Sequence, residues 1–234
     1  MRHIDHIVEP DRLLLSWQTP SERLRMFVAE LKRNGDEEAD LVYLKEREDF
    51  SKAQSLGFMG YPGFDIEINI YKNVLTSFMK RIPPRSRGDF GRFLDALRIK
   101  AEAEISDFAL LGYSGAKLPD DDFTVIHPFE NASVPFEFML PVEGYQHYQD
   151  ELPLNVLSTD MQADFEAEPD NPKDPGAIKI MINGIKAGYV CRGLTASFRN
   201  WMQSGLTISA CVERINGSGK NPKVYLYVSA KKAL

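Results

Sequence analysis

Two cysteines, Cys191 and Cys211, are too few for a disulfide framework, so the chain reads as an intracellular protein with reduced thiols. No apolar run approaches the roughly 20 residues needed to cross a bilayer. The opening MRHIDHIVEPDR is charged from its start and lacks the apolar core of a signal peptide. A cytoplasmic protein without a membrane partner is the expectation. Nucleotide and kinase signatures are missing too: there is no G-x-x-x-x-G-K-S/T, no G-x-G-x-x-G, no H-R-D and no D-F-G. NGSGKNP at 216–222 lacks a first glycine at the right distance and has no helix after it, so it reads as a hairpin loop. Zinc needs close pairs of Cys or His. The cysteines lie far apart, and the close pair His3 and His6 sits in a terminus read as mobile. Asp120, Asp121 and Asp122 point in different directions as consecutive acids and read as a solubilising turn. No cofactor, no metal and no enzymatic activity are expected.

An excess of positive charge is also lacking. The formal net charge is −6, which argues against a generic nucleic-acid coat. The charge is segregated, however. Residues 134–174 carry ten acids and one base, Lys173, whereas residues 175–234 carry nine bases and one acid, Glu213. A fold that gathers those bases on one face has a local positive patch despite the acidic total; a solvated surface of mixed charge is the alternative.

The chain has 234 residues, 43% of them hydrophobic and 26% charged, the balance of a globular protein of one large or two ordinary domains. LLLSW at 13–17 and DLVYLK at 40–45 read as strands. Residues 23–33 fit either period, with Ser21 available to cap a helix. EDFSKAQSLGF, Leu75–Met79, a stretch with Asp89 as its expected cap, and SDFALLGY beginning at Ser106-Asp107 read as short helices, the second stopped by Pro83-Pro84. The cluster Arg81, Arg85 and Arg87 around those prolines is a possible contact for phosphate or an acidic partner; solvated helix ends with local acids are the plainer alternative. A turn-prone connector, HPFENASVP, places a boundary near residue 133, giving domains 1–133 and 134–234. In the second domain, strands are expected at 136–147, within 152–166, and at 177–182, 185–190, 207–214 and 223–229. One helix is expected there, with Leu194, Phe198, Trp201 and Met202 inside.

The most informative stretch runs from Asp164 to Arg192. EPDNPKDPG holds three prolines, an Asn and a Gly, so its backbone turns more than once near the surface. AIKIMI and IKAGYV then alternate around Asn183-Gly184, a strong hairpin signal because both turn positions need positive φ. Glu168-Pro169, Asn171-Pro172, Asp174, Ala177-Ile178, Gly188-Tyr189-Val190 and Arg192 together resemble the HIRAN domain pattern. That resemblance implies a small β-barrel of SH3/OB-like type with one helix, and binding of the 3′ end of single-stranded DNA. It implies that Asp174 reads the terminal hydroxyl, that Arg192 holds phosphate, and that Gln146, His147, Tyr148 and Lys173 occupy the remaining DNA-contacting positions. His and Lys stand there where the family has two stacking aromatics. Asp174 has a structural role open to it as well, accepting backbone N–H bonds within its own loop.

Phe78, Arg81, Ser86-Arg87, Asp89-Phe90, Phe108, Leu110-Leu111 and Ser114-Gly115 resemble the N-terminal region of HipA-type kinases. This resemblance makes 23–33 a strand and the first domain a mixed α/β unit. The whole chain is thus expected to be α+β: a non-enzymatic bacterial protein that binds single-stranded DNA at 3′ ends or at damaged or stalled DNA. The alternative is an antitoxin-like regulatory subunit of a HipA-type kinase.

Overall fold

Period-two and period-3.6 patterns settle into distinct elements in the computed structural model, which describes residues 2–19, 25–35, 37–119, 121–217 and 222–233. Ser21, Asp120 and most of the 216–222 loop lie outside the described residues. The chain is a mixed α+β fold in which every strand pair is antiparallel. It divides into two compact units, each built from discontinuous segments. One comprises Glu9–Leu97 and Ala101–Pro128; the other comprises Met1–Val8, Arg98–Lys100 and Phe129–Leu234.

In the first unit, β1 (Arg12–Gln18), β2 (Arg25–Arg33) and β3 (Ala39–Tyr43) precede α1 (Glu48–Ser55). Residues 25–33 are strand because Met26 through Leu31 are all buried, as befits a strand covered on both faces. A ribbon of β4 (Gly60–Tyr61) and β5 (Phe64–Asp65) follows, then β6 (Ile70–Tyr71), α2 (Leu75–Met79), α3 (Phe90–Ala96), α4 (Asp107–Ser114) and β7 (Phe123–Ile126). The sheet order is β6-β3-β2-β1-β7. Ser106 caps α4, its hydroxyl accepting from the Ala109 N–H at 3.0 Å. Asp89 does not cap α3, contrary to expectation: its carboxylate pairs with Arg87 at 2.6 Å instead.

The second unit contains β8 (Phe136–Pro141), β9 (Gln162–Ala167), β10 (Ile178–Ile182), β11 (Ile185–Tyr189), α5 (Thr195–Gln203), β12 (Thr207–Asn216) and β13 (Lys223–Lys231). Its sheet runs β11-β10-β9-β12-β13-β8. Ile178, Ile180 and Ile182 alternate inward, and Asn183 and Gly184 take the left-handed φ values of 50° and 77° that the hairpin turn demands. Helix α5 lays Phe198 and Trp201 against Phe136 and Phe138, with ring centroids 5.0 to 6.2 Å apart. Met202 is 39% exposed rather than inside. The buried stripe is Leu194, Ser197, Phe198 and Trp201, and position 202 falls off its edge.

Residues 2–8 are anchored to this unit, not mobile. The carboxylate of buried Glu137 accepts from the backbone N–H groups of Asp5 and His6 at 3.1 and 2.9 Å. Tyr227 donates its hydroxyl to the His3 carbonyl at 2.6 Å. Buried Glu213 is held by Arg2 and Arg98 at 3.0 and 2.7 Å. Among the described residues, no helix is long and apolar enough to cross a membrane.

Candidate nucleic-acid interface

The segment expected to be one strand from 136 to 147 breaks in two. Strand β8 ends at Pro141, Gly144 turns the chain at φ 76°, and Tyr145–His147 form a single 3₁₀ turn. Tyr145 drives the break: its ring is buried, and its hydroxyl donates to the Leu152 carbonyl at 2.6 Å. Gln146 and His147 therefore sit on a turn, with their side-chain nitrogens 3.2 Å apart and His147 exposed. The turn lies beside β11 because Glu143 and Tyr189 exchange both backbone hydrogen bonds, at 3.0 and 2.9 Å. Gly188 makes that approach possible. A Cβ there would lie 2.4 Å from the Glu143 carbonyl oxygen.

Tyr148 thereby meets Tyr189, the rings edge to face with centroids 6.2 Å apart. Lys186 places its ammonium 4.5 Å from the Tyr189 ring centre and 5.4 Å from that of Tyr148. The same ammonium donates to Glu168 Oε1 at 2.7 Å and to the Tyr189 hydroxyl at 2.8 Å. Tyr189 in turn donates to Glu168 Oε2 at 2.8 Å, and Asn171 Nδ2 donates to Glu168 at 2.6 Å and to the Tyr189 oxygen at 3.0 Å. The hydrogen bond from Lys186, then that from Asn171, holds the Glu168 carboxyl at a pKa of about 2. Burial would lower the Lys186 pKa, but Glu168 and Tyr189 outweigh it and raise it. Burial chiefly pushes the Tyr189 phenol up to about 12. At neutral pH the centre is an ammonium–carboxylate pair with a neutral phenol between them.

Asn171 ties this centre to the Asp174 loop. Its Oδ1 accepts from the backbone N–H groups of Lys173 and Asp174, at 3.0 and 3.1 Å. Asp174 accepts the Gly176 N–H on Oδ1 at 2.8 Å, and its carbonyl accepts from the Ala177 N–H at 2.9 Å. Asp174 is half-buried, and Lys173 is exposed next to it. Arg192 is exposed three residues beyond Tyr189, where a 3₁₀ turn leads into α5. Tyr148, Lys173 and Asp174 are thus linked into one assembly through Tyr189 and Asn171. Gln146 and His147 lie next to Tyr148 in the chain.

Lys186, and its meeting with the motif residue Tyr189, escaped the sequence reading for a clear reason. Strict alternation puts residues three apart on opposite faces of a strand. The register pairs Ile180 with Gly188 but Met181 with Lys186, leaving Ala187 as a one-residue bulge. The bulge reverses the parity and brings both side chains to one face. The isolated Gly188 in a strand pattern was the available signal.

Within the arginine cluster of the first unit, Arg81 is engaged internally. Arg81 is buried, and all five of its N–H donors are used: by Asp121 twice, Tyr61, and the carbonyls of Ala116 and Phe123. It has no donor left for a phosphate or a partner, which corrects the expectation for this residue. Arg85 pairs with Asp107 at 2.7 Å and Arg87 with Asp89 at 2.6 Å, both near the surface.

No family model matches the sequence, and no curated protein matches it. Among solved structures the chain is similar to the HIRAN domain of human HLTF, at 21% identity and a TM-score of 0.34, over 41% of this chain and 76% of that one. It is also similar to a protein from Lactobacillus plantarum, at 21% identity and a TM-score of 0.34, over 42% of this chain and 97% of that one.

Proposed function

We propose that this chain is a non-enzymatic nucleic-acid-binding protein whose C-terminal unit, an SH3/OB-like barrel, takes single-stranded DNA at its ends. The observation that carries this reading is one assembly: two partly exposed tyrosine rings, Tyr148 and Tyr189, tied through Asn171 to a loop bearing Asp174 and Lys173. Aromatic faces stack bases without regard to sequence, adding roughly 1–3 kcal/mol per base. Exposed Lys173 and Arg192 supply salt-dependent attraction for the backbone. The Asp174 carboxylate spends Oδ1 on the Gly176 N–H, and its second oxygen is the acceptor offered to a terminal hydroxyl. It would repel a terminal phosphate. The resemblance of the 164–192 stretch to HIRAN domains gives the same direction.

Fluorescence anisotropy tests this with labelled strands ending in 3′-hydroxyl or 3′-phosphate and with blunt duplex, at two salt concentrations. Preference for the 3′-hydroxyl strand, lost in the Asp174→Ala, Arg192→Ala double variant, is expected. Binding that ignores the end and the double variant would assign the contact to a generic basic surface, and absence of binding would end the proposal.

A further inference from the structure

Helix α5 carries a cation that the motif does not account for. Arg199 is exposed on α5, seven residues after Arg192 and so close to two helical turns further on. Its guanidinium reaches back over the Asp174 loop. A Cβ built on Gly176 would lie 3.2 Å from Arg199 Nη1, 3.4 Å from its Cζ and 3.1 Å from Asp174 Oδ1. Arg199 and Asp174 thus approach the same glycine, and a Cβ there would crowd both side-chain ends by a few tenths of an ångström. Arg199 makes no hydrogen bond or ion pair with any described residue. Its guanidinium is exposed beside the Asp174 carboxylate, whereas the Lys186 ammonium is engaged by Glu168 and Tyr189.

We infer that Arg199 is a phosphate-binding residue of the single-strand site, gripping the backbone phosphate adjacent to the strand end that Asp174 reads. This rests on the single-strand-binding function proposed above and deepens it. The chemistry follows from the geometry. Asp174 alone repels the polyanion it has to approach, and a guanidinium placed over the neighbouring glycine offsets that repulsion at the same spot. A guanidinium presents a fork of donors that matches two phosphate oxygens, which an ammonium cannot do. Arg192, Lys173 and Arg199 then hold the backbone around Asp174 from three sides of the sequence.

The test is anisotropy of a labelled oligothymidylate with a 3′-hydroxyl, titrated over a salt series. The proteins are the intact chain and its Arg199→Ala, Arg199→Lys, Gly176→Ala and Gly176→Ala/Arg199→Ala variants, with thermal denaturation as a check on folding. Arg199→Ala is expected to weaken binding about 3- to 10-fold, the worth of one partly solvated charge-assisted hydrogen bond. It should also reduce the salt slope by about 0.7, the value for one phosphate of a single strand. Arg199→Lys should keep the slope and lose part of the affinity. Gly176→Ala crowds the guanidinium without removing charge, so any loss of binding it causes in the parent should vanish in the Arg199→Ala background. A salt slope unchanged by Arg199→Ala, or a Gly176→Ala loss that persists undiminished in the Arg199→Ala background, would overturn the assignment while leaving the single-strand function in place. Failure of the intact chain to bind any strand would overturn both.

Discussion

Glu143 and Tyr189 exchange both of their backbone hydrogen bonds, at 3.0 and 2.9 Å, and this one pair joins the segment after β8 to the end of β11. These are the two edge strands of the six-stranded sheet, so the contact fixes where Tyr148 stands relative to Tyr189. The pair forms only because residue 188 has no side chain. Gly188→Ala would drive a Cβ to 2.4 Å from a backbone oxygen and 2.7 Å from Val142 Cγ1, at a φ of 153° that side chains avoid. A loss of roughly 2 kcal/mol or more in denaturant unfolding is expected. Binding of single strands should weaken in the same variant, because the tyrosine pair separates.

Glu168 gives the second unit an acid-sensitive contact. Its folded pKa of about 2 lies below the usual carboxylate value, so the carboxylate stabilises the fold at every pH above the range in which it titrates when unfolded. That contribution disappears as pH falls from about 4.5 towards 2. Solvent reaches this pair, so the contribution is on the order of 1 kcal/mol. Glu168→Gln should lower the urea midpoint at pH 7 and flatten the loss of stability below pH 4.5. A parent and variant with parallel acid limbs would contradict the assignment.

The hairpin around Asn183-Gly184, the inward isoleucines and the start of a helix at Ser106-Asp107 were legible because each is decided by residues within a turn or two of one another. Three features were not. Arg81 reads as one of a surface basic cluster, and what buries it is Asp121, forty residues on. Gln146 and His147 read as strand until the burial of Tyr145 is known. Lys186 and Tyr189 read as opposite-facing until the bulge at Ala187 is counted. In each case a long-range contact or a register shift overrode a local pattern, and two of the three concern the candidate interface itself. Strand 25–33 was open to either period in its local pattern, and only the resemblance of the first domain made it a strand; burial on both faces is the physical reason it is one.

Arg81 and Asp121 make two parallel charge-assisted hydrogen bonds, at 2.5 and 2.8 Å, with the guanidinium buried and the carboxylate partly open to solvent. Removing one partner strands the other. Arg81→Ala should destabilise the first unit by about 3 kcal/mol and leave oligonucleotide affinity unchanged at temperatures where that unit stays folded. Arg81→Lys should recover little, since the donors of one ammonium cannot serve the five acceptor contacts that the guanidinium makes. A stable Arg81→Ala variant with weakened nucleic-acid binding would return this arginine to the list of contact residues.

Tyr148 and Tyr189 are similar in chemistry but differ in what their hydroxyls do. The Tyr189 oxygen sits between Lys186, Glu168 and Asn171, so its ring is held in place by the polar centre. Tyr189→Phe keeps the ring and removes the link, leaving Lys186 and Glu168 in direct contact. A modest loss of stability is expected, about 1 kcal/mol, with single-strand affinity reduced less than twofold. Tyr148→Ala removes a stacking face and leaves the hydrogen bonds among Lys186, Glu168 and Tyr189 in place. It should cost roughly 1–3 kcal/mol of binding, a tenfold loss or more, with little change in unfolding. Denaturation and anisotropy on the two variants therefore separate support from contact. If Tyr148→Ala left affinity unchanged while Tyr189→Phe abolished it, the stacking role would belong to neither ring, and the polar centre itself would be the ligand-binding element.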